Sequence, residues 1–233
     1  MNASHHGDDS RAYHHGDLRK TLLETCCAHI ASQGTEGLSL RALAREAGVS
    51  PTAPYRHFDS RHALLAALAT EGFEELAASM GAVPLEDPVQ AFFDCGLAYV
   101  RYARANPVKY HLMFGDVIGD FSDHEELITA AHDCFRHLEK VLAVGLASGD
   151  LRSDDAAELG GTVWALVHGL AGLAISAEAK AAQKPIEEIM QMPPLRAQAA
   201  VAAAPERAVL RLLEGLVADP ARLDALQERW RRS

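Results

Sequence analysis

The stretch Ser39 to Phe58, SLRALAREAGVSPTAPYRHF, constrains this 233-residue chain more than any other. Leu40, Leu43, Ala44 and Ala47 recur at i, i+3, i+4 and i+7, which predicts a short helix with one apolar face. Gly48 closes it, because glycine takes the left-handed backbone that a sharp helix end needs. Ser50 and Pro51 then read as the N-cap and first residue of a second helix. Two helices meeting across Gly48-Val49-Ser50 have helix-turn-helix spacing, in which the second helix is offered to the DNA major groove.

That second helix carries Thr52, Tyr55, Arg56 and His57, all able to reach phosphates or base edges. Pro54 lacks the amide that would close the first turn onto Ser50, a smaller loss near a helix end than in its middle. Phe58 plugs the apolar core. The run LSLRALAREAGVSPTAPYRHFDSRHALLAAL, preceded by YHHGDLR, resembles the DNA-binding domain of tetracycline-repressor (TetR) family regulators, closely over Tyr13 to Leu68. Arg61 stands where the family more often has lysine and keeps the charge. Farther on, Trp164, His168 and Gly169 resemble the residues that mark a Trp-His-Gly class of C-terminal domains in TetR-like regulators. The resemblance implies an all-α fold: a three-helix helix-turn-helix domain followed by a larger helical domain for ligand binding and dimerisation.

Charge is distributed in keeping with that division. The net charge is −10, yet residues 1 to 62 hold seven basic and seven acidic side chains plus seven histidines, so the negative excess lies wholly in the remainder. The N-terminal part is the one able to approach a polyanion. Cys26, Cys27, Cys95 and Cys134 lack metal-finger spacing and sit in apolar helical patterns, as buried thiols of a reducing compartment do. Redox sensing by Cys26-Cys27 is the alternative, although adjacent helix positions point apart. No charged-then-apolar leader is apparent at the start of the sequence, and Gly160 to Ala177, interrupted by His168, reads as a buried helix and not a membrane span. A cytoplasmic protein without membrane contact is expected.

In order, residues 1–16 form a flexible arm, 17–62 the DNA-binding domain and 63–233 the second domain. Within the arm, Arg11, Tyr13, His14 and His15 are placed to reach an adjacent groove, with metal binding by the two histidines as a rival. Asp17 caps a helix whose apolar face is Leu22, Leu23, Cys26, Cys27 and Ile30, ended by Gly34. Ser60 begins a helix to about Met80 that links the domains. Helices follow over Pro88 to about Ala105, Glu125 to Leu146, Asp154 or Asp155 to about Ala179, and Pro205 onward; Val108 to Phe114 is a short aromatic segment. Lys180 to Ala204, rich in Pro, Gln and Ala, shows no sustained period and reads as a long, partly ordered connection.

Contacts to DNA are assigned to Arg11, Tyr13, His14, Arg41, Ser50, Thr52, Tyr55, Arg56, His57 and Arg61. A small apolar effector is expected among Phe92, Tyr99, Tyr102, Met113, Phe114, Phe135, Trp164 and His168, a set that a packed core would use equally well. Small residues Gly161, Gly169 and Gly172, with the stripe Val209, Leu212, Leu213 and Leu216, suggest a four-helix homodimer interface, which the resemblance also implies. Together these features describe a ligand-responsive repressor on a near-palindromic operator. Two alternatives stand beside it: a thiol-regulated relative without an effector, and a metal- or ligand-binding protein that retains only the fold. His124, His132, Asp133, Cys134 and His137 lack HExxH order; no catalytic group, metal site or cofactor is expected.

Overall fold

The computed structural model describes residues 18–153 and 155–232. Arg11, Tyr13, His14, the Asp17 cap and Asp154 therefore lie outside the described residues. The described chain is helical, with one isolated bridge between Leu151 and Val217. It divides into two compact units, the first ending at Leu68 and the second beginning at Ala69.

In the first unit, α1 (Leu18–Gln33) and α2 (Leu40–Glu46) are followed by a 3-10 turn, Pro54–Arg56, and by α3 (Arg61–Gly81), whose first half closes the core. Leu22, Leu23, Cys26, Leu43, Ala44, Leu64, Leu65 and Leu68 are almost wholly buried together, so the heptad-like spacing on α1 and α3 has found its partners. Ser39 caps α2, its Oγ accepting from the Ala42 amide at 3.1 Å. Gly48 takes φ +69°, as the turn requires, and the Val49 amide returns to the Ala44 carbonyl. On α1 the sequence misjudged one face: Cys27 and Ile30 are half-buried, and His29 is buried instead, at i+7 from Leu22. His29 is admitted because its Nδ1 lies 2.9 Å from a Glu46 carboxylate oxygen at the end of α2.

The second unit continues α3 and adds α4 (Pro88–Ala105), α5 (Pro107–Phe114), α6 (Glu125–Ala147), α7 (Ala156–Ala181), α8 (Ile186–Gln191), α9 (Pro193–Ala203), α10 (Pro205–Leu216) and α11 (Pro220–Arg232). Helix α4 is central and packs against α5, α6, α7, α10 and α11. Its ends follow from sequence: Asp87 accepts from the Gln90 amide ahead of Pro88, and Asn106-Pro107 stops the helix. Asp155 caps α7 with two amide bonds. Lys109 of α5 spans to Glu75 at 2.6 Å and Glu71 at 3.4 Å on α3, and the Tyr102 hydroxyl donates to Glu75, so α3, α4 and α5 are tied side by side. Helix α7 is long and apolar enough to cross a membrane by those two criteria alone, but its Leu159, Val163, Val167, Leu170 and Ala174 are packed inside the unit.

Two expectations are corrected. The connection from Lys180 to Ala204 contains two helices, α8 and α9, and α9 lies along α7. Few side chains there are buried, chiefly Ile189 and Ala202, so no apolar period was visible, while alanine propensity and the proline at the start of α9 favour helix regardless. On α10, Val209 and Leu213 are fully buried within their own chain, Val209 closing over Gly96 of α4. They belong to the core and not to an interface; Leu212 and Leu216 are half-exposed, whereas Gly161 and Gly169 are exposed with open space around them and Gly172 is half-exposed.

Candidate nucleic-acid interface and ligand cavity

The segment after the turn differs from the expected helix. The Ala53 amide bonds to the Ser50 carbonyl at 3.0 Å, the Arg56 amide to Ala53 at 3.2 Å and the His57 amide to Pro54 at 2.9 Å, an i to i+3 pattern. Pro54 has no amide to offer Ser50, so the α-helical bond at that step is absent and the turn tightens. The Ser50 hydroxyl sits 3.4 Å from that of Thr52 and caps no amide. The outcome for display is nonetheless clear. Pro54 and Phe58 are buried, Phe58 under the Arg19 guanidinium at 5.6 Å, while Ser50, Thr52, Tyr55, Arg56 and His57 face solvent. Tyr55 is 48% exposed, unusual for a large aromatic. Arg41 is exposed on α2. Arg61 is half-buried and donates through Nη2 to the Thr35 carbonyl at 3.1 Å, so part of its guanidinium holds the loop after α1.

In the second unit an apolar cavity of about 250 Å³ opens between α3, α4, α5, α6 and α7. Of the residues expected there, Phe92, Tyr99, Met113, Phe114, Phe135 and Trp164 line it. Tyr102 and His168 do not: Tyr102 turns to Glu75, and His168 lies behind the wall. Sequence reasoning missed Phe73 and Met80 of α3, Phe121 of the 3-10 turn before α6, and Cys95, Cys134, Leu138, Val141, Val163 and Val167. The signal was present in each helical period, but a core-facing position and a cavity-facing one look alike in sequence. Phe135 and Trp164, edge to face at 6.3 Å, are both more than a third exposed and form the mouth.

Behind Tyr99 lies a polar cluster. The Tyr110 hydroxyl is 2.8 Å from His168 Nδ1 and 3.2 Å from the His168 carbonyl, and the Tyr99 hydroxyl is 3.5 Å from Tyr110 and 3.1 Å from Nδ1. Every proton finds an acceptor if His168 donates through Nδ1 to Tyr110, Tyr110 donates to the carbonyl, Tyr99 donates to Tyr110, and the Trp164 indole donates to Tyr99. Burial raises both phenols, Tyr110 to about 12, and burial holds His168 below the ordinary histidine range, so the ring is neutral. Its stabilising contribution is complete above the unfolded value of about 6.5 and is lost as pH falls below it, because the unfolded chain takes the proton first. Thermal melts between pH 7.5 and 5.5 are expected to show a declining Tm, and His168→Gln is expected to flatten the decline.

Three of the α6 side chains weighed as metal ligands are placed by the structure. Cys134 faces the cavity, Asp133 pairs with Arg136, and His137 Nδ1 rests 3.0 Å from the Asp133 carbonyl.

Comparison with known proteins bears on both units. Residues 22–68 match the family of bacterial regulatory proteins of the tetR type, and residues 92–192 match a tetracyclin repressor-like C-terminal domain, a description that names no Trp-His-Gly class. An HTH-type transcriptional regulator of Mycobacterium tuberculosis is 29% identical over 143 residues, covering 59% of this chain and 61% of that protein's length. A protein of unknown function from a Rhodococcus species superposes with a TM-score of 0.68 at 31% identity, over 89% of this chain and 99% of the other. A TetR family transcriptional regulator of Thermus thermophilus, PfmR, shares the fold with a TM-score of 0.59 at 22% identity, over 82% and 97%. With a regulatory N-terminal unit and a repressor-like C-terminal unit matched in the order in which they occur, the chain belongs to the TetR family of bacterial regulatory proteins.

Proposed function

We propose that this protein is a ligand-responsive transcriptional regulator that binds a near-palindromic DNA operator as a homodimer in the cytoplasm. The observation that carries the DNA-binding part is the alternation after Gly48: Pro54 and Phe58 anchor the segment in the core while Thr52, Tyr55, Arg56 and His57 stand in solvent. Arg56 and Thr52 suit base edges; Tyr55, His57 and Arg41 suit phosphates. Arg11, Tyr13 and His14 would add arm contacts, and the remaining donors of Arg61 a phosphate. Two-fold symmetry would space the recognition segments by about 34–36 Å or a multiple of it.

The cavity is the effector site in this reading. Helix α3 supplies Phe73 and Met80 to its wall and Leu64, Leu65 and Leu68 to the first unit's core, so one continuous helix runs from the ligand to the unit that carries the DNA-binding residues. An effector acts only through a difference in affinity for two arrangements of that helix.

The thiol-regulated alternative is disfavoured by Cys26, which burial pushes up to about 12 and leaves without the thiolate that oxidation needs. A mobility-shift titration with the DNA upstream of the gene tests the main reading. Arg56→Ala is expected to weaken binding by roughly 10- to 100-fold, corresponding to about 1–3 kcal/mol, with an unchanged melting temperature because the side chain is exposed. Equal affinity of variant and parent would remove the proposed footing on DNA.

A further inference from the structure

The cavity wall contains no Lys, Arg, His, Asp, Glu, Asn or Gln among the residues that line it. Its sole hydroxyl is that of Tyr99, already committed to Tyr110 and His168 behind the wall. The thiols do not replace it. Cys95 points its Sγ to the Met80 carbonyl at 3.7 Å, and burial raises Cys95 to about 11 and Cys134 to about 12, so both are neutral. What remains is soft and polarisable: sulfur from Met80, Met113, Cys95 and Cys134 among the rings of five phenylalanines, Tyr99 and Trp164. Sulfur against ring edges and rings at an angle to rings are the contacts that favour an aromatic guest over a saturated one. Size narrows the class further. A dry apolar cavity of roughly 150 Å³ accepts benzene, and this one is about 250 Å³.

Resting on the reading of this cavity as the effector site, we infer that its ligand is an uncharged, hydrogen-bond-poor aromatic molecule of about two fused rings, and that anionic aromatics are excluded. A carboxylate carried into this wall would lose its water and find no counter-charge. Exclusion is therefore a property of the binding step itself, independent of any response on DNA.

The experiment measures binding of naphthalene and 2-naphthoate to the full chain by ligand-observed NMR and by the upward shift of Tm, with operator release followed separately. Naphthalene is expected to bind at least 100-fold more tightly than 2-naphthoate. Ala131→Phe, which fills the cavity from α6, is expected to abolish naphthalene binding, and Met80→Lys, at a position 8% exposed, to narrow the gap at least tenfold by supplying a cation. Comparable affinities for the two compounds, naphthalene binding that survives Ala131→Phe, or no binding of either compound would overturn the inference; if Met80→Lys does not fold, the ratio in the parent protein still decides. Selective naphthalene binding without any change in operator affinity would leave the ligand class standing and remove the effector reading.

Discussion

Gly145→Val is expected to destabilise the second unit by about 3 kcal/mol, the upper end of what overpacking a closed core costs. Gly145 is buried on α6 where Leu151 folds back upon it: a Cβ at this position would stand 2.5 Å from Leu151 Cδ1 and 2.7 Å from Cγ. Leu151 has little room to yield. Its amide bonds to the Gly145 carbonyl at 3.0 Å, and the flanking Arg152 amide and Asp150 carbonyl are tied to Leu216 and Ala218 at the end of α10. For a chain of this length such a loss lowers Tm by roughly 2–4 °C per kcal/mol, hence about 6–12 °C by calorimetry. Gly160→Ala is the internal control: the added methyl meets Leu142 Cδ1 at 3.7 Å, an ordinary contact, and removing a helix-interior glycine is worth up to about 1 kcal/mol in favour of the fold. A Gly145 variant as stable as the parent would show that Leu151 repacks freely.

The same contrast between glycines explains what was legible beforehand. Helix ends were readable wherever a single residue has a single physical job: Gly48 with positive φ, Asp87 accepting from an amide ahead of Pro88, and Asp155 capping α7. The exposure of Thr52, Tyr55, Arg56 and His57 was readable for the same reason, with Phe58 turned to the core between that row and the next helix. What failed depends on partners distant in sequence. His29 looked unfit for burial until Glu46 arrived from α2, and the Pro54–Arg56 turn tightened because a lost amide bond propagates along a short segment. The cavity was half legible: aromatic positions on α4, α5 and α7 were correct, but Tyr102 and His168 point away from it for the sake of Glu75 and Tyr110. Nothing in a local pattern distinguishes a ring that lines a void from one that fills it.

Helix α7 keeps an apolar face that the described residues leave uncovered, and the double substitution Leu166→Glu with Leu173→Glu is expected to convert a dimer into a folded monomer. Leu166 and Leu173 are 41% and 42% exposed and seven residues apart, beside exposed Gly161, Ala165 and Gly169. Small residues at that spacing let a second helix approach closely, and the half-exposed Leu212 and Leu216 of α10 offer further apolar surface. Because the two leucines contribute little to the core, the variant should keep its helical content while sedimentation shows half the mass. Operator affinity should then fall by at least about 100-fold, since each recognition segment loses the effective concentration that its tethered partner supplies. Val209→Glu provides the opposite outcome: that side chain is fully buried over Gly96, so an unpaired carboxylate there is expected to unfold the second unit outright. A parent protein that sediments as a monomer would remove the homodimer, and a double variant that remains dimeric would place the subunit contact elsewhere and with it the spacing of the recognition segments.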